Sequence, residues 1–240
     1  MLLPYDFHLH SCLSPCGDND MTPYNLVNMA RLWGLEVIAL TDHNTVGNCR
    51  SAMAVGADIG LTVIPGMELC TAEEIHVVCL FPDLEKAEAF GAAVRAQLPP
   101  IKNKPGIYGE QRLMDTEDNV IGLEETLLVT ASFITIDQVP GLCGQYGGFC
   151  YPAHIDRSSF SILSTLGTIT TDMGFTCAEV SAGGDEEALA QKHTDLQKMR
   201  LLRSSDAHYL ENMREAVDTI EVPANTAPAI VAYLRSLTAQ

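Results

Sequence analysis

The chain has 240 residues, of which 47% are hydrophobic, and it carries a formal net charge of −17 at pH 7. The length fits one large domain or two small ones, and no apolar run approaches the roughly 20 residues that a membrane-spanning helix needs. Such acidity disfavours binding to a nucleic acid polymer, because phosphates are recognised by clustered lysines and arginines. A small substrate is the better prediction.

The cysteines and the N-terminus indicate the cellular compartment. Eight cysteines lie at unrelated spacings, several of them inside apolar runs. This distribution is typical of reduced, buried thiols and not of a disulfide framework. The N-terminus lacks a basic region followed by a long apolar run, so we predict no signal peptide and a cytoplasmic protein.

Short apolar runs alternate with helical patterns along the whole chain. A first strand begins at Leu2, and further strands are predicted at 35–40, 61–64, 75–81, 148–151, 175–180, 199–203 and 217–222. Helices are predicted at 22–33, 46–59, 83–97, 123–133, 136–146, 160–166, 185–196 and 227–237. This alternation implies a mostly parallel sheet, and about seven such units predict a closed or nearly closed barrel.

Residues 98–122 interrupt this alternation. They contain several prolines and glycines and an acidic stretch, without clear periodicity. A segment of this kind is usually functional or mobile. Lys102, Lys104 and Arg112 concentrate basic charge there, so the segment is either a solvated insertion or a lid over a substrate.

Histidines and carboxylates gather where predicted strands end. His8 and His10 alternate in the first strand, so both side chains should point to one face. Further candidates follow later strands: Asp42, His43, Glu68, His154, Asp206 and His208. Since barrel enzymes build their sites at the strand ends, we expect one shared site. His76 fits less well, because it lies near the start of its strand.

This mixture of side chains suits divalent transition metals. Imidazoles together with carboxylates favour Zn, Mn or Fe, whereas Mg and Ca prefer oxygen ligands. The candidates exceed what one ion needs, so two or three ions are predicted, with Glu68 as the bridging carboxylate. The remaining histidine, His193, lies in a predicted helix among acidic residues and is assigned to the surface.

Together these motifs resemble those of the polymerase and histidinol phosphatase (PHP) family of phosphoesterases. The motifs are His-Leu-His at 8–10, Thr-Asp-His at 41–43, Pro-Gly-Met-Glu at 65–68, His76, Tyr-Pro-Ala-His at 151–154 and Ser-Asp-Ala-His at 205–208. The resemblance implies a single PHP domain over residues 1–240, with 98–122 as its insertion. The fold it implies is a distorted seven-stranded, TIM-like β/α barrel with up to three metal ions.

The resemblance also implies which residues hold each ion. His8, His10, Glu68 and Asp206 would hold the first, Glu68, His76 and His154 the second, and His43 and His208 the third. Many family members add a His or Asp shortly after the first motif, but here that distance falls on Ser-Pro-Cys at 14–16.

Two acidic residues are the candidates for the missing ligand of the third ion. Asp18 and Asp20 follow slightly later in the chain, and the choice between them stays open. Cys12 and Cys16 could offer a thiolate instead. Because no second cysteine pair lies elsewhere to complete a separate zinc site, we assign both cysteines to the loop.

Three further residues are candidates for catalysis or substrate binding. Arg157 follows His154 by three residues and is predicted to clamp a phosphate, since guanidinium binds phosphate with two prongs; the alternative is a surface salt bridge. Lys104 is a second candidate for the same role. Asp42 is predicted to orient His43 by a hydrogen bond.

The predicted function is a metal-dependent phosphoesterase. Hydroxide activated by two or three Zn, Mn or Fe ions would hydrolyse a small phosphate ester, such as a nucleotide, a sugar phosphate or an amino-alcohol phosphate. One alternative is an exonuclease-like activity on nucleic acid ends, which the acidic charge disfavours. Others are a non-catalytic metal-binding regulatory module and a hydrolase of C–N bonds. The oligomeric state is left open.

Overall fold

The computed structural model describes residues 1–216 and 218–238 of the chain. The strands are β1 (Leu2–Leu9), β2 (Val37–Leu40), β3 (Thr62–Cys70), β4 (His76–Leu80), β5 (Arg112–Met114), β6 (Val120–Leu123), β7 (Phe149–Pro152), β8 (Cys177–Ser181), β9 (Arg200–Ser204) and β10 (Thr219–Glu221). The α-helices are α1 (Pro23–Leu32), α2 (Cys49–Ile59), α3 (Leu84–Arg95), α4 (Pro105–Tyr108), α5 (Val139–Gln145), α6 (Ile162–Leu166), α7 (Glu186–Lys192) and α8 (Ala227–Ser236). None of these helices is long and apolar enough to span a bilayer.

The first third of the chain forms the predicted parallel β/α units. Strands β1, β2 and β3 pair in parallel in chain order, and every residue of β2 is buried, as expected for a strand covered on both faces. The Thr22 hydroxyl caps α1 by accepting from Asn25 N–H, with Pro23 at the first helical position. Helix α2 ends at Gly60, whose left-handed backbone (φ 73°) suits glycine.

The second half of the main sheet is antiparallel, which the sequence did not predict. The hydrogen-bonded order is β10-β1-β2-β3-β4-β7, with β4 antiparallel to both of its neighbours and β10 antiparallel to β1. Residues 71–75 join β3 to β4 in a short turn, so no crossover helix can make the two strands parallel. The α/β class is confirmed, but the main sheet has six mixed strands and not the seven of a TIM-like barrel.

Strands β8 and β9 form a parallel pair that is separate from the main sheet. This pair approaches β1 through an isolated parallel bridge between Leu9 and Ala207. It approaches the end of β7 through Ile155, whose N–H donates to the Glu179 carbonyl at 2.8 Å. The ends of β1 and β9 and the loop after β7 are therefore brought to one place.

Two apolar clusters hold the sheet. One packs Leu26, Ile38 and Phe90 with other residues beneath the helices, and the other includes Phe7 and Tyr151. The pairing of β1 with β2 shifts register between Asp6 and Leu9. A register irregularity of this kind re-aims the side chains at the end of a strand.

The insertion is partly ordered. Residues 98–122 contain α4, β5 and part of β6, and β5 pairs with β6 as a hairpin. Its Arg112 N–H donates to the Cys12 carbonyl at 3.0 Å, so the hairpin packs against the loop that follows the first histidines. The helix predicted over 123–133 is wrong, because β6 ends at Leu123 and no helix follows before Ile136. Of the predicted last strand, Val217 lies outside the described residues.

Candidate metal centre

Five histidines surround the carboxylate of Glu68, which β3 places in the buried centre of the site, and a sixth adjoins them. Oxygen Oε1 lies 3.2 Å from His8 Nε2, 2.8 Å from His76 Nδ1 and 3.1 Å from His154 Nε2. Oxygen Oε2 lies 2.9 Å from His43 Nδ1 and 3.3 Å from His10 Nε2. The sixth imidazole, that of His208, stacks on His10 with ring centroids 4.1 Å apart.

Gly66 allows this approach of strands around Glu68. A Cβ at Gly66 would lie 2.9 Å from the carbonyl oxygen of Cys79 and 2.9 Å from a side-chain carbon of Thr41. Any larger residue would therefore push β3 away from β2 or β4. The glycine of the Pro-Gly-Met-Glu motif thus has a packing role, while its glutamate reaches the site.

Asp206 is the second carboxylate of the cluster. Its Oδ1 lies 3.3 Å from His8 Nε2 and 3.1 Å from His10 Nε2. The residue follows β9 with a left-handed backbone (φ 52°), as His154 does after β7 (φ 29°). Strained conformations of this kind persist where the surrounding structure fixes a functional side chain.

The antiparallel direction of β4 explains how His76 reaches the site. His76 begins β4 and lies opposite Cys70, at the end of β3. Because the two strands run in opposite directions, the start of β4 meets the rim where β1, β2 and β3 end. The apparent misfit of His76 in the sequence is therefore resolved by the hairpin.

Among the described residues there are three sets of candidate ligands, and the ligand atoms within each set lie within 4.8 Å of one another. They are His8, His10, Glu68 and Asp206; His43, Glu68 and His76; and His10, His43 and His208. The first set equals the one implied for the first ion. The second set has His43 where the motifs implied His154. The third set contains His10 in addition to the implied His43 and His208.

The donor atoms fit metal ions. Buried Glu68 Oε2, Asp206 Oδ1 and His43 Nδ1 have no hydrogen-bond partner of acceptable geometry, although all three face the cluster. Leaving such atoms unsatisfied costs about 1–3 kcal/mol each. Cations bound between these nitrogens and oxygens would remove that cost, and the mixed N/O set suits Zn, Mn or Fe.

The electrostatics of the site depend on the Glu68 carboxylate. Burial raises the pKa of Glu68, but the imidazoles of His76, His8 and His43 outweigh burial and hold this pKa well below its usual range. Burial lowers the pKa of His8 and His43, yet carboxylates around His8, and Glu68 with Cys16 around His43, raise the pKa of both well above 6.5. For His76 burial dominates and lowers the pKa to about 4.

Glu179 orients His8, a role that no motif of the sequence predicted. His8 Nδ1 donates to Glu179 Oε1 at 2.9 Å, and the His154 backbone N–H donates to the same oxygen at 3.1 Å. The bond leaves His8 Nε2 directed at the cluster, as carboxylate partners of metal-binding histidines do. The signal available in the sequence was a glutamate inside the apolar run at 175–180.

Asp42 is buried, and its carboxylate bonds to serines instead of to the imidazole of His43, so this part of its predicted role is wrong. Its carboxylate accepts hydrogen bonds from Ser11 N–H at 2.7 Å and from the Ser14 hydroxyl at 2.7 Å. Ser14 Oγ in turn lies 2.9 Å from His10 Nδ1 and accepts from the His43 backbone N–H at 3.2 Å. Asp42 therefore orients His10 through Ser14 and is not among the residues lining the pocket.

Asp18 and Asp20 do not reach the cluster. Asp18 Oδ1 accepts from Asp20 N–H at 2.8 Å in a local turn, and both residues line a separate depression with Trp33 and Tyr209. The expectation that one of them completes the third set is not supported by their positions.

Cys16 occupies the place that the two acidic residues were expected to take. Its Sγ lies 3.2 Å from His43 Nε2, and His208 lines the same pocket. Desolvation of the sulfur raises the thiol pKa, but the two imidazoles outweigh this effect and lower the pKa to about 5. The sequence order alone could not show that Cys16, although exposed, lines the pocket beside His43, while Asp18 lines a separate depression.

An open pocket of about 270 Å³ lies above the cluster. Besides the histidines and carboxylates, it is lined by Cys16, Val129, Arg157, Ser159 and Phe160. Lys104 is exposed at the start of α4 and is not among these lining residues, and none of residues 98–122 is. The described positions therefore support Arg157 as a pocket residue and give no support for Lys104 or for a lid formed by the insertion.

Arg157 lines this pocket together with the candidate metal ligands. Its Nη1 lies 2.6 Å from Asp206 Oδ2, while the side chain as a whole remains 45% exposed. The Asp206 pair fixes one side of the guanidinium, and the exposed side faces solvent. Phe160 lies opposite, with its ring stacked on His76 at a centroid distance of 4.7 Å.

Sequence comparison identifies a family over most of the chain. A family model described as PHP domain matches residues 6–219. A 5′-3′ exoribonuclease of Haemophilus influenzae is 36% identical over 83 residues, which are 33% of this chain and 29% of that protein. An uncharacterised protein of Methanocaldococcus jannaschii is 30% identical over 111 residues, which are 42% of this chain and 63% of that protein. The chain thus spans less than two thirds of either relative.

Solved structures that share the fold are named as different kinds of hydrolase. The lesion-specific endonuclease Q of Pyrococcus furiosus matches with a TM-score of 0.71 and 17% identity, over 98% of this chain and 56% of that one. An amidohydrolase from Chromobacterium violaceum matches at 0.62 and 18% identity, over 97% and 96% of the two chains. A proposed metal-dependent phosphoesterase from Bifidobacterium adolescentis matches at 0.56 and 20%, over 85% and 87%. At these identities the likeness concerns the fold.

Proposed function

This chain belongs to the PHP domain family, and on that premise we propose that it is a metal-dependent hydrolase of phosphate esters. The observation that carries the proposal is the arrangement around Glu68, in which five imidazole nitrogens lie within 3.3 Å of one carboxylate. Such a concentration of metal-binding groups, opening into a pocket with an arginine, suits the hydrolysis of a charged ester.

The side chains divide the work by position. His8, His10, Glu68 and Asp206 would hold one ion, and Glu68 would bridge it to a second held with His76 and His43 or His154. When bound, the ions would supply Lewis acidity and lower the pKa of a water molecule. Glu179, and Asp42 through Ser14, keep the His8 and His10 rings in place, so the geometry is set before substrate arrives.

Arg157 would bind the phosphoryl group. Its guanidinium is held by Asp206 at 2.6 Å and keeps further N–H groups on its exposed side. Planar guanidinium groups bind phosphate oxygens with two parallel hydrogen bonds. A phosphate above the cluster would therefore be attracted both by Arg157 and by the bound ions, which favours a phosphate over an uncharged amide.

A small phosphorylated molecule fits the pocket, and its identity is part of the proposal. The volume of about 270 Å³ holds a phosphate and a few more groups but not a folded polymer. The acidic net charge of −17 weakens long-range attraction of nucleic acids. We therefore place a nucleotide, a sugar phosphate or an amino-alcohol phosphate first.

Cleavage at a nucleic acid end is the second candidate function. Phe160 favours it, because the ring is 44% exposed at the rim of the pocket and could stack a nucleobase. A partial relative is named as a 5′-3′ exoribonuclease. An end needs only its terminal nucleotide in the pocket, so the pocket volume does not conflict with this candidate.

The test combines metal analysis with a substrate panel. Protein purified without added metal or chelator is analysed for Zn, Mn and Fe, and phosphate release is measured from an aryl phosphate, a 5′-nucleotide, glycerol phosphate and a short 5′-phosphorylated RNA. More than one ion per chain with phosphate release supports the proposal, and nucleotide release from the RNA alone selects the second candidate.

Two results would contradict the proposal. A chain that holds less than one ion even after Mn or Zn is restored would not have a metal centre. A metal-loaded chain that hydrolyses an amide panel but none of the phosphate esters would be a C–N hydrolase.

A further inference from the structure

Cys16 lies at the end of the cluster where the third set of donors is incomplete. His43 and His208 line the pocket there together with the cysteine. Its Sγ lies 3.2 Å from His43 Nε2, the nitrogen of that ring which does not face Glu68. The opposite nitrogen, Nδ1, is buried and lacks a hydrogen-bond partner of acceptable geometry.

The loop around Cys16 makes a tight turn at Gly17. The backbone N–H of Gly17 donates to the Ser14 carbonyl at 2.9 Å, and a Cβ at Gly17 would lie only 2.3 Å from the Ser11 carbonyl oxygen. Glycine is therefore required for the chain to turn so closely. The turn leaves Cys16 at the pocket.

The next residues lead away from the cluster and remove the competing carboxylates. Asp18 N–H donates to the His208 carbonyl at 2.8 Å, which fixes the exit of the loop. The side chain of Asp18 then accepts from Asp20 N–H. Neither carboxylate is among the residues that line the pocket, so sulfur is the donor that the loop presents there.

We propose that Cys16 supplies a thiolate ligand to an ion held by His43 and His208. Its sulfur lies outside the three sets of mutually close donors and reaches the third set through His43. Imidazole nitrogens and cysteine thiolates are both ligands that zinc takes in proteins. A thiolate also makes this position select Zn or Fe(II) over Mn or Mg, because soft sulfur binds hard cations weakly.

The proposal rests on the metal centre of the proposed function but not on its reaction. Metal-free protein is titrated with Co²⁺ in reductant, and the sulfur-to-cobalt charge-transfer band in the near ultraviolet is recorded. We expect the band in the unchanged protein and in the control variant Cys12→Ser. The sulfur of Cys12 lies near the Arg112 carbonyl and not in the cluster. We expect Cys16→Ser to lose the band and one bound Co²⁺ per chain.

A second variant separates ligand loss from misfolding. Cys16→Asp should bind as many cobalt ions as the unchanged protein while lacking the charge-transfer band, since a carboxylate replaces the thiolate as donor. In parallel, bound Zn²⁺ should protect Cys16 from alkylation by iodoacetamide, as followed by peptide mass spectrometry. Circular dichroism checks that each variant is folded.

The outcomes distinguish this proposal from the proposed function. An undiminished band in Cys16→Ser, or equally fast alkylation of Cys16 with and without Zn²⁺, overturns thiolate ligation and leaves the remaining metal centre intact. A band that behaves as expected in a protein that hydrolyses no phosphate ester supports the ligand and overturns the reaction. Full cobalt binding by Cys16→Ser would likewise overturn thiolate ligation, whether or not the variant releases phosphate.

Discussion

The inner and outer halves of the cluster are built differently. The inner half, around His8 and Glu68, is fully buried, and its rings are fixed by hydrogen bonds to groups such as Glu179. The outer half includes Arg157 and Phe160, which are 45% and 44% exposed and reach solvent. The difference teaches that the inner half is organised to hold ions in a fixed geometry, whereas the outer half is free to meet a substrate.

The largest effect is expected from Glu68→Gln, which removes the charge at the centre of the inner half. We expect loss of more than one bound ion per chain and a fall in kcat of about 10³-fold, because metal ions contribute several kcal/mol of transition-state charge stabilisation. Metal content and phosphate release are measured together. The exposed Glu85→Gln on α3 is the matched control; an unchanged metal content in Glu68→Gln would place the ions elsewhere.

Glu179→Gln tests whether the hydrogen bond from His8 Nδ1 to Glu179 holds the His8 ring in position for metal binding. The neutral amide accepts the His8 hydrogen bond more weakly, so metal affinity should fall about 10–100-fold, as for other partners of metal-binding histidines. Competition with a chelator measures the affinity. The exposed Glu187→Gln should bind metal normally. Equal affinities for both variants would reduce Glu179 to a packing role.

Arg157→Gln tests the outer half separately. Metal content should stay normal, while kcat/KM for phosphate esters should fall about 10–100-fold through the loss of charged hydrogen bonds worth roughly 1.5–3 kcal/mol. Steady-state kinetics and elemental analysis give the two readouts. Arg50→Gln removes an exposed arginine that pairs with Glu88 on the surface and serves as the control. A loss of metal in Arg157→Gln would make the residue part of the inner half.

The pH dependence of metal binding tests the charge of the histidines in the cluster. In the metal-free protein the pKa of both His8 and His43 is raised well above 6.5, so these imidazoles keep their protons to higher pH than a free imidazole does. An ion must displace those protons, and affinity should therefore rise with pH from about 6.5 by about tenfold per pH unit for each proton released. Zinc titrations in buffers of different ionisation enthalpy count the protons. Affinity independent of pH above 6.5 would contradict the raised pKa.

The smallest effect is expected from Phe160→Ala, and it should depend on the substrate. Stacking on an aromatic side chain is worth about 1–3 kcal/mol per base, and for a half-exposed ring we expect the lower end, about fivefold in KM for nucleotides. Glycerol phosphate should be unaffected. Phe133→Ala removes an exposed ring outside the pocket and is the control. Equal KM changes for both substrates would exclude nucleobase stacking.

The residues of the inner half could be predicted because their spacing carries the information. The pair His8 and His10, the Asp-His pair at 42–43 and the Asp-x-His group at 206–208 all follow apolar runs, and parallel strands bring such ends to one rim. The structure places His8, His10, Glu68 and Asp206 within one set of close donors, as the motifs implied. Their assignment as ligands of an ion stays a prediction that Glu68→Gln tests.

Contacts between distant segments could not be predicted. Glu179 lies 171 positions from His8, and no local pattern links the two residues. The choice between Cys16 and Asp18 depends on one tight turn at Gly17, so residues two apart point in different directions. Lys104 illustrates the opposite error, because basic charge in the insertion suggested a substrate contact that its exposed position on α4 does not provide.

The sequence by itself determined the α/β class, the parallel first units and the identity of most groups in the cluster, because apolar periodicity and motif spacing are local properties. Only the tertiary structure decided that β4 runs antiparallel, and with it that His76 enters the site from the start of a strand. The same holds for the six-stranded sheet and for the sulfur beside His43. Strand direction and side-chain convergence depend on how distant segments pack, and that packing free energy is distributed over the whole core.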